Sequence, residues 1–344
     1  MKSTKLKSGN YLEDFLIGQV IHHPTPRTIT AGERALYTSL YPSRHALYSS
    51  DEFARNCGLK ESPIQDLIVF HVIFGKTVPE ISLNAVANLG YAQGRFYQPV
   101  YCGDTINAIS EVIGLKENSN RKTGIVWVKT SGYNQNGKLI LEYIRWVMVR
   151  KKHPDSLISE NLIPKITPSV DPKSLHLAGD WNFSNYDFDQ AGEPYRLHDY
   201  KPGEIIDHID GITIEETEHI LATRLWQNTA RVHFDNTVRG DSKRLIYGGH
   251  LISMAKALSF NGLANAQSIV GINNGSHTNP CFAGDTIRAW SEVEYIYDFQ
   301  KNGIGAIKLR TFITKGEIEK AFDDNQKYDR NLLLDFSYWA LIPT

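Results

Sequence analysis

The chain of 344 residues contains itself twice, and that repeat limits its fold more than any other feature. Residues 98–112, QPVYCGDTINAISEV, lie over residues 279–293, NPCFAGDTIRAWSEV, with each position i matching i + 181. The match includes Gly103-Asp104-Thr105-Ile106 over Gly284-Asp285-Thr286-Ile287, and it extends upstream, where LGYAQGRFYQP overlies VGINNGSHTNP. Farther upstream the displacement becomes 185, pairing His23 with His208, Glu33 with Glu218 and Leu40-Tyr41 with Leu225-Trp226. A repeat of this length implies two copies of one unit, expected at about 10–150 and 191–344. The polar stretch 151–190, with Pro154, Pro164, Pro168 and Pro172, reads as a connector.

Each copy shows the same order of elements. A helix is expected from Thr30 through Tyr41, and again from Glu215 through Trp226, because a Thr or acidic residue opens an apolar-periodic segment. The segments PIQDLIVFHVIFGKTV (63–78) and YGGHLISMAKALSFNG (247–262) are apolar around most of a helical circumference, so something must wrap them on nearly all sides. Strand-like runs follow, among them GIVWVKTSGY and LILEYIRWVMV in the first copy and IGAIKLRTFIT and LLLDFSYWALI in the second. Helices first and an antiparallel meander after predict an α+β fold, with a curved sheet around one long helix in each copy.

Composition narrows the function. The 37 basic and 38 acidic side chains leave a formal net charge of −1, without the basic footprint that a phosphate backbone requires, so no nucleic-acid partner is expected and the ligand is expected to be small. The lysine-bearing start is followed by no apolar run of signal or membrane length, and no membrane partner is expected. Three cysteines, an odd number with no paired spacing, argue against a disulfide framework or a thiolate metal site and suit a reducing cytoplasm.

The segments Gln98–Thr105 and Asn279–Thr286, together with the apolar helix that precedes each, resemble the MaoC-like hydratases. The runs TPRTITAGERALYTSLYPSRHALYSSD, LIVFHVIFGKTVPEISLNAVANLGYA, EVIGLKENSN and RLIYGGH are similar to those of the mesaconyl-CoA hydratase family, also called β-methylmalyl-CoA dehydratases. The resemblance covers about 10–150 and 195–344. It implies a double hotdog and an acyl-CoA hydro-lyase that reversibly dehydrates β-methylmalyl-CoA to mesaconyl-CoA, with no cofactor beyond the CoA of the substrate. It also implies site residues. Laid over Leu225–Asp235, the hydratase signature puts His233 on the catalytic histidine, Asp235 on the trailing acid, Asn228 on the usual catalytic aspartate and Ala230 on the assisting asparagine. In the first copy the same positions are Ser43, His45 and Tyr48, so one active site per chain is expected, in the C-terminal copy, with the N-terminal copy shaping the acyl-CoA tunnel.

The residues allow bland readings beside these. His233 is the expected acid/base, since an imidazole exchanges protons near neutrality, although a buried histidine capping a carbonyl would use the same residue. An amide at Asn228 cannot carry a proton, so it is expected to orient water, or Asp235 or Asp66 is expected to restore a second group; Asp235 reads equally as a loop acid or a cap. Gly248 and Gly249, at the start of the central helix, are expected oxyanion-hole amides, with Leu67 and Ile68 as their counterparts in the first copy. A dicarboxylic acyl group calls for a guanidinium, from Arg44 or Arg231, and the CoA phosphates for Arg95, Arg121 or Lys122. No metal is expected at His22-His23, and Gly-Asp-Thr reads as a structural turn. Three other activities stay open: a general (R)-specific enoyl-CoA hydratase, a catalytically silent acyl-CoA-binding protein and a thioesterase. Two hotdogs in one chain supply each other's pairing, and assembly into a homo-oligomer is open as well.

Overall fold

The structure is a computed structural model that describes residues 5–344 except 159, 178, 179, 319 and 324. The first copy supplies β1 (Val20–Thr28), β2 (Ala85–Phe96), β3 (Thr105–Glu117), β4 (Thr123–Tyr133) and β5 (Leu139–Arg150). The second supplies β6 (Ile205–Thr213), β7 (Ile269–His277), β8 (Thr286–Lys301), β9 (Ile304–Lys315) and β10 (Leu332–Pro343). They join in a single ten-stranded sheet ordered β1-β3-β4-β5-β2-β7-β10-β9-β8-β6, whose second half mirrors the first. The seam is the antiparallel pair β2 and β7, in register Tyr91 to Gly275 and Arg95 to Gly271.

Helices α1 (Ala31–Leu40) and α3 (Glu216–Leu225) start where the sequence predicts. Thr30 and Glu33 form a capping box in the first copy, and Glu215 with Glu218 repeats it in the second. The long central helices are α2 (Asp66–Thr77) and α4 (Gly248–Leu258). Every residue of α2 from Leu67 to Thr77 is buried, as an all-round apolar helix requires. Both helices share one hydrophobic core with the inner faces of the strands. They touch where His71 Nε2 meets Ser253 Oγ at 2.8 Å. These two residues are equivalent when the helices are aligned from their first turns, so their contact lies on the pseudo-twofold axis.

The repeated motifs keep the two halves in shape. Gly103 and Gly284 adopt left-handed dihedrals, φ 95° and 90°, that favour glycine. The following aspartates accept from the backbone N–H of Tyr101 and Phe282. His23 is wedged between Glu80 and Ser110, each 2.9 Å away, and its counterpart His208 bonds Ser291. Residues 151–190 do more than connect. Val170, Leu175, Trp181, Phe183 and Tyr186 pack with Trp339 and Leu341 in a second core on the outer side of the sheet, so β10 is buried at every position.

Candidate active site

After α3 the chain turns back through Gln227, whose left-handed φ of 53° lets Asn228 face inward, and a single 3-10 turn, Arg231–His233, carries the histidine. His233 is 8% exposed. Its Nδ1 lies 2.7 Å from the carbonyl oxygen of Leu245. A carbonyl only accepts, so Nδ1 carries the proton and Nε2 keeps a lone pair. Burial pushes the pKa down to about 4, against a smaller opposing pull from that carbonyl, so the ring is neutral at physiological pH. A neutral imidazole with a lone pair on Nε2 is a proton acceptor.

Asn228, 2% exposed, accepts the Ala230 N–H through Oδ1 at 2.9 Å, which leaves its Nδ2 as the donor with no partner among the described residues. The His233 ring packs on Tyr247, centroids 5.7 Å apart, and Tyr247 immediately precedes α4. The Tyr247 N–H donates to His219 Nε2. Those of Gly248 and Gly249, in the first turn, have no intrahelical partner, the usual condition of a helix start. Both residues must be glycine for want of space rather than for their dihedrals. A Cβ on Gly248 would lie 2.4 Å from the His277 ring, and one on Gly249 would lie 2.4 Å from the Tyr247 ring.

His233, Asn228, Gly248 and Arg231 line one cavity of about 520 Å³, large enough for an extended acyl chain and part of a pantetheine arm. Gly249 lies one residue deeper and does not reach its wall. Asp235 is not brought to this site. It faces solvent and accepts from the backbone and hydroxyl of Thr237, a local turn that uses its carboxylate and holds it below the usual range. Arg44 stacks on Phe260 at 4.3 Å, and Arg95 reaches Ser174 at 3.4 Å; neither lines the cavity, nor do Arg121 and Lys122.

The first copy explains why Arg44 has no site to serve. The α2 start is displaced by 182 from the α4 start, so Asp66, not Leu67, stands in the place of Gly248, and Leu67 in that of Gly249. Asp66 fills that place. It accepts from Tyr48 at 2.5 Å, from the Ile269 N–H at 2.7 Å and from Ser268 at 3.1 Å, and its burial raises the carboxyl to about 6. His45 meets Lys256 at 3.0 Å, and the space left is about 10 Å³. Asp66 therefore serves as a plug and does not line the cavity that holds His233.

The residues missed from the sequence are His277 and Tyr91, which share a hydrogen bond of 3.2 Å across the seam and line the cavity. A signal was available: at a displacement of 181 His277 falls on Phe96 and Tyr91 on Ile272, two places where the copies disagree in character.

A double hotdog with a cavity that holds a neutral histidine acceptor beside an unpaired helix-start amide is a MaoC-like hydratase. Residues 2–308 match the profile of the mesaconyl-CoA hydratase family. Over 341 residues the chain is 56% identical to a mesaconyl-CoA hydratase of Cereibacter sphaeroides, covering 98% of this chain and 99% of that one. It is 53% identical to a β-methylmalyl-CoA dehydratase of Chloroflexus aurantiacus, covering 99% of each. A solved MaoC domain dehydratase from Chloroflexus aurantiacus superposes with a TM-score of 0.96 at 52% identity, over 99% of both chains. The chain belongs to the mesaconyl-CoA hydratase family.

Proposed function

We propose that this chain reversibly hydrates mesaconyl-CoA to β-methylmalyl-CoA at one site, with His233 as the base. The chain is a hydro-lyase, and its substrate is a CoA thioester. His233 Nε2 takes a proton from water oriented by the Asn228 amide, and the hydroxide adds to the β-carbon. The electron pair of the double bond moves toward the thioester oxygen, where the Gly248 amide stabilises the charge. The protonated His233 then gives that proton to the α-carbon as the thioester carbonyl reforms, which returns the ring to its neutral state. Positioned acid/base groups contribute ~10²–10⁴-fold and each oxyanion donor ~10²–10³-fold in comparable enzymes.

The observation that carries this reading is the Leu245 carbonyl on His233 Nδ1, which frees Nε2 inside the same cavity as the helix start. Arg231, exposed at the cavity wall, is suited to the CoA phosphates at the mouth. Water addition moves no electrons between reactants, so the reaction calls for no redox cofactor. Three free cysteines and a CoA-ester substrate suit the cytoplasm. Incubation of the purified protein with mesaconyl-CoA is expected to yield a product heavier by one water. Hydrolysis to free CoA, or no mass change, would contradict it.

A further inference from the structure

Arg145 on β5 is completely buried, and among the described residues no carboxylate pairs with it. Its Nη2 donates to Thr77 Oγ1 at 2.7 Å and, at 3.4 Å, to Ser82 Oγ; Nε and Nη1 are buried with no partner among the described residues. The guanidinium lies over the Phe74 ring, 4.4 Å from its centroid. A buried charge is normally paired, because its lost hydration must be replaced, and a ring face with one good hydrogen bond replaces little of it. Among the described residues, then, nothing supplies the anion that this buried cation calls for, and the guanidinium itself stops short of the cavity, behind Ser82.

Its surroundings are the inner wall of the cavity. Phe74, Ser82 and Tyr91 all line the cavity, and Tyr91 sits directly across the ladder from Arg145. Ser82 accepts from Arg145 and its own hydroxyl proton has no acceptor among the described residues, which leaves it to donate into the cavity. Asn88 pairs with Val147, and the register shift between Asn88 and Gly90 puts it on the same face as Tyr91. Both polar atoms of its carboxamide are buried and unpartnered, and Asn88 also lines the cavity.

The second copy has none of this. Strand register puts Tyr338 in the place of Arg145 and Ile272 in that of Tyr91, and Ile269 overlies Asn88 at the same displacement. The polar set exists only on the wall that faces the open site. CoA phosphates are bulky and hydrated and belong at the mouth, beside exposed arginines such as Arg231. An anion reaching the interior end must be part of the acyl group.

We propose that Arg145, acting through the Ser82 hydroxyl with Asn88 beside it, positions the free carboxylate of a dicarboxylic acyl thioester and makes the site selective against monocarboxylic ones. This rests on the hydratase reading. In mesaconyl-CoA that carboxylate is borne by the carbon that water attacks, so holding it aims that carbon at His233.

The test is kcat/KM and Kd for mesaconyl-CoA and crotonyl-CoA in the wild type, Ser82→Ala, Asn88→Leu, Arg145→Met and Arg145→Lys. Losing a hydrogen bond to a charged group is expected to lower the mesaconyl-to-crotonyl ratio by about tenfold or more in Ser82→Ala and Asn88→Leu. Arg145→Lys is expected to restore part of the ratio lost in Arg145→Met. Proportional losses on both substrates would overturn the proposal. If Arg145→Met fails to fold, the two smaller substitutions decide. If the wild type hydrates neither thioester, the hydratase reading has failed, and the Kd ratio still upholds or overturns the carboxylate site.

Discussion

At the scale of single residues, the site depends on which atom of each polar side chain is already occupied. Leu245 takes Nδ1 of His233 and Ala230 takes Oδ1 of Asn228, so one is left as an acceptor and the other as a donor. In the mechanism proposed above, that division gives proton transfer to the histidine and orientation to the amide. Asn228→Ala is accordingly expected to reduce kcat on mesaconyl-CoA less than His233→Ala does, measured by steady-state loss of the enoyl-thioester absorbance; a larger loss at Asn228 would contradict it. His233 and Asn228 were legible in the sequence because a short signature places them within a few residues. Asp235 stayed open in the sequence between a second catalytic group and a loop acid, since linear proximity does not report that Thr237 turns the carboxylate outward.

At the scale of elements, α4 opens onto the cavity with an uncapped first turn, whereas the equivalent place at the start of α2 is filled by Asp66. The unpaired amides at Gly248 and Gly249 exist because the helix opens without a side-chain cap. Gly248→Ala would drive a methyl to 2.4 Å from His277, so either the ring or the helix start must shift. Displacing one oxyanion donor in this way is expected to lower kcat on mesaconyl-CoA by about 10²-fold or more. Unchanged kcat in Gly248→Ala, by the same absorbance assay, would remove that amide from the mechanism. The glycine pair was readable, but its counterpart was set one residue late. Strand motifs repeat at 181 while the helix starts repeat at 182, and a displacement measured on one element does not transfer to its neighbour.

At the scale of the whole molecule, one sheet with a pseudo-twofold seam holds two unequal halves. The symmetric part was legible because a repeat displays it directly: the α+β order, the wrapped helices and the paired turns at Gly103 and Gly284. The unequal part is written in positions such as Arg145 against Tyr338, which acquire meaning only once the strands are in register. The buried imidazoles have a collective consequence. His208, His233 and His277 are pushed down to about 4, and His71 and His250 to about 3, chiefly by burial. Between pH 6.5 and about 4 the unfolded chain therefore binds protons that the folded chain refuses, and stability falls as pH falls through that window. Asp66, raised to about 6, and Glu218, also raised by burial, act in the opposite sense but are outnumbered, since burial lowers His23, His45 and His219 as well. The melting temperature is expected to drop steadily from pH 6.5 to 4 in circular-dichroism scans, and a flat profile would contradict these burial states.

The most direct measurement is the single-turnover rate of mesaconyl-CoA hydration by wild type and by His233→Gln, with far-ultraviolet circular dichroism confirming that the variant is folded. A neutral histidine acting as the base predicts a fall of ~10²–10⁴-fold. A folded variant that hydrates within about tenfold of the wild-type rate, a deficit worth only about 1.4 kcal/mol of barrier, would contradict the account.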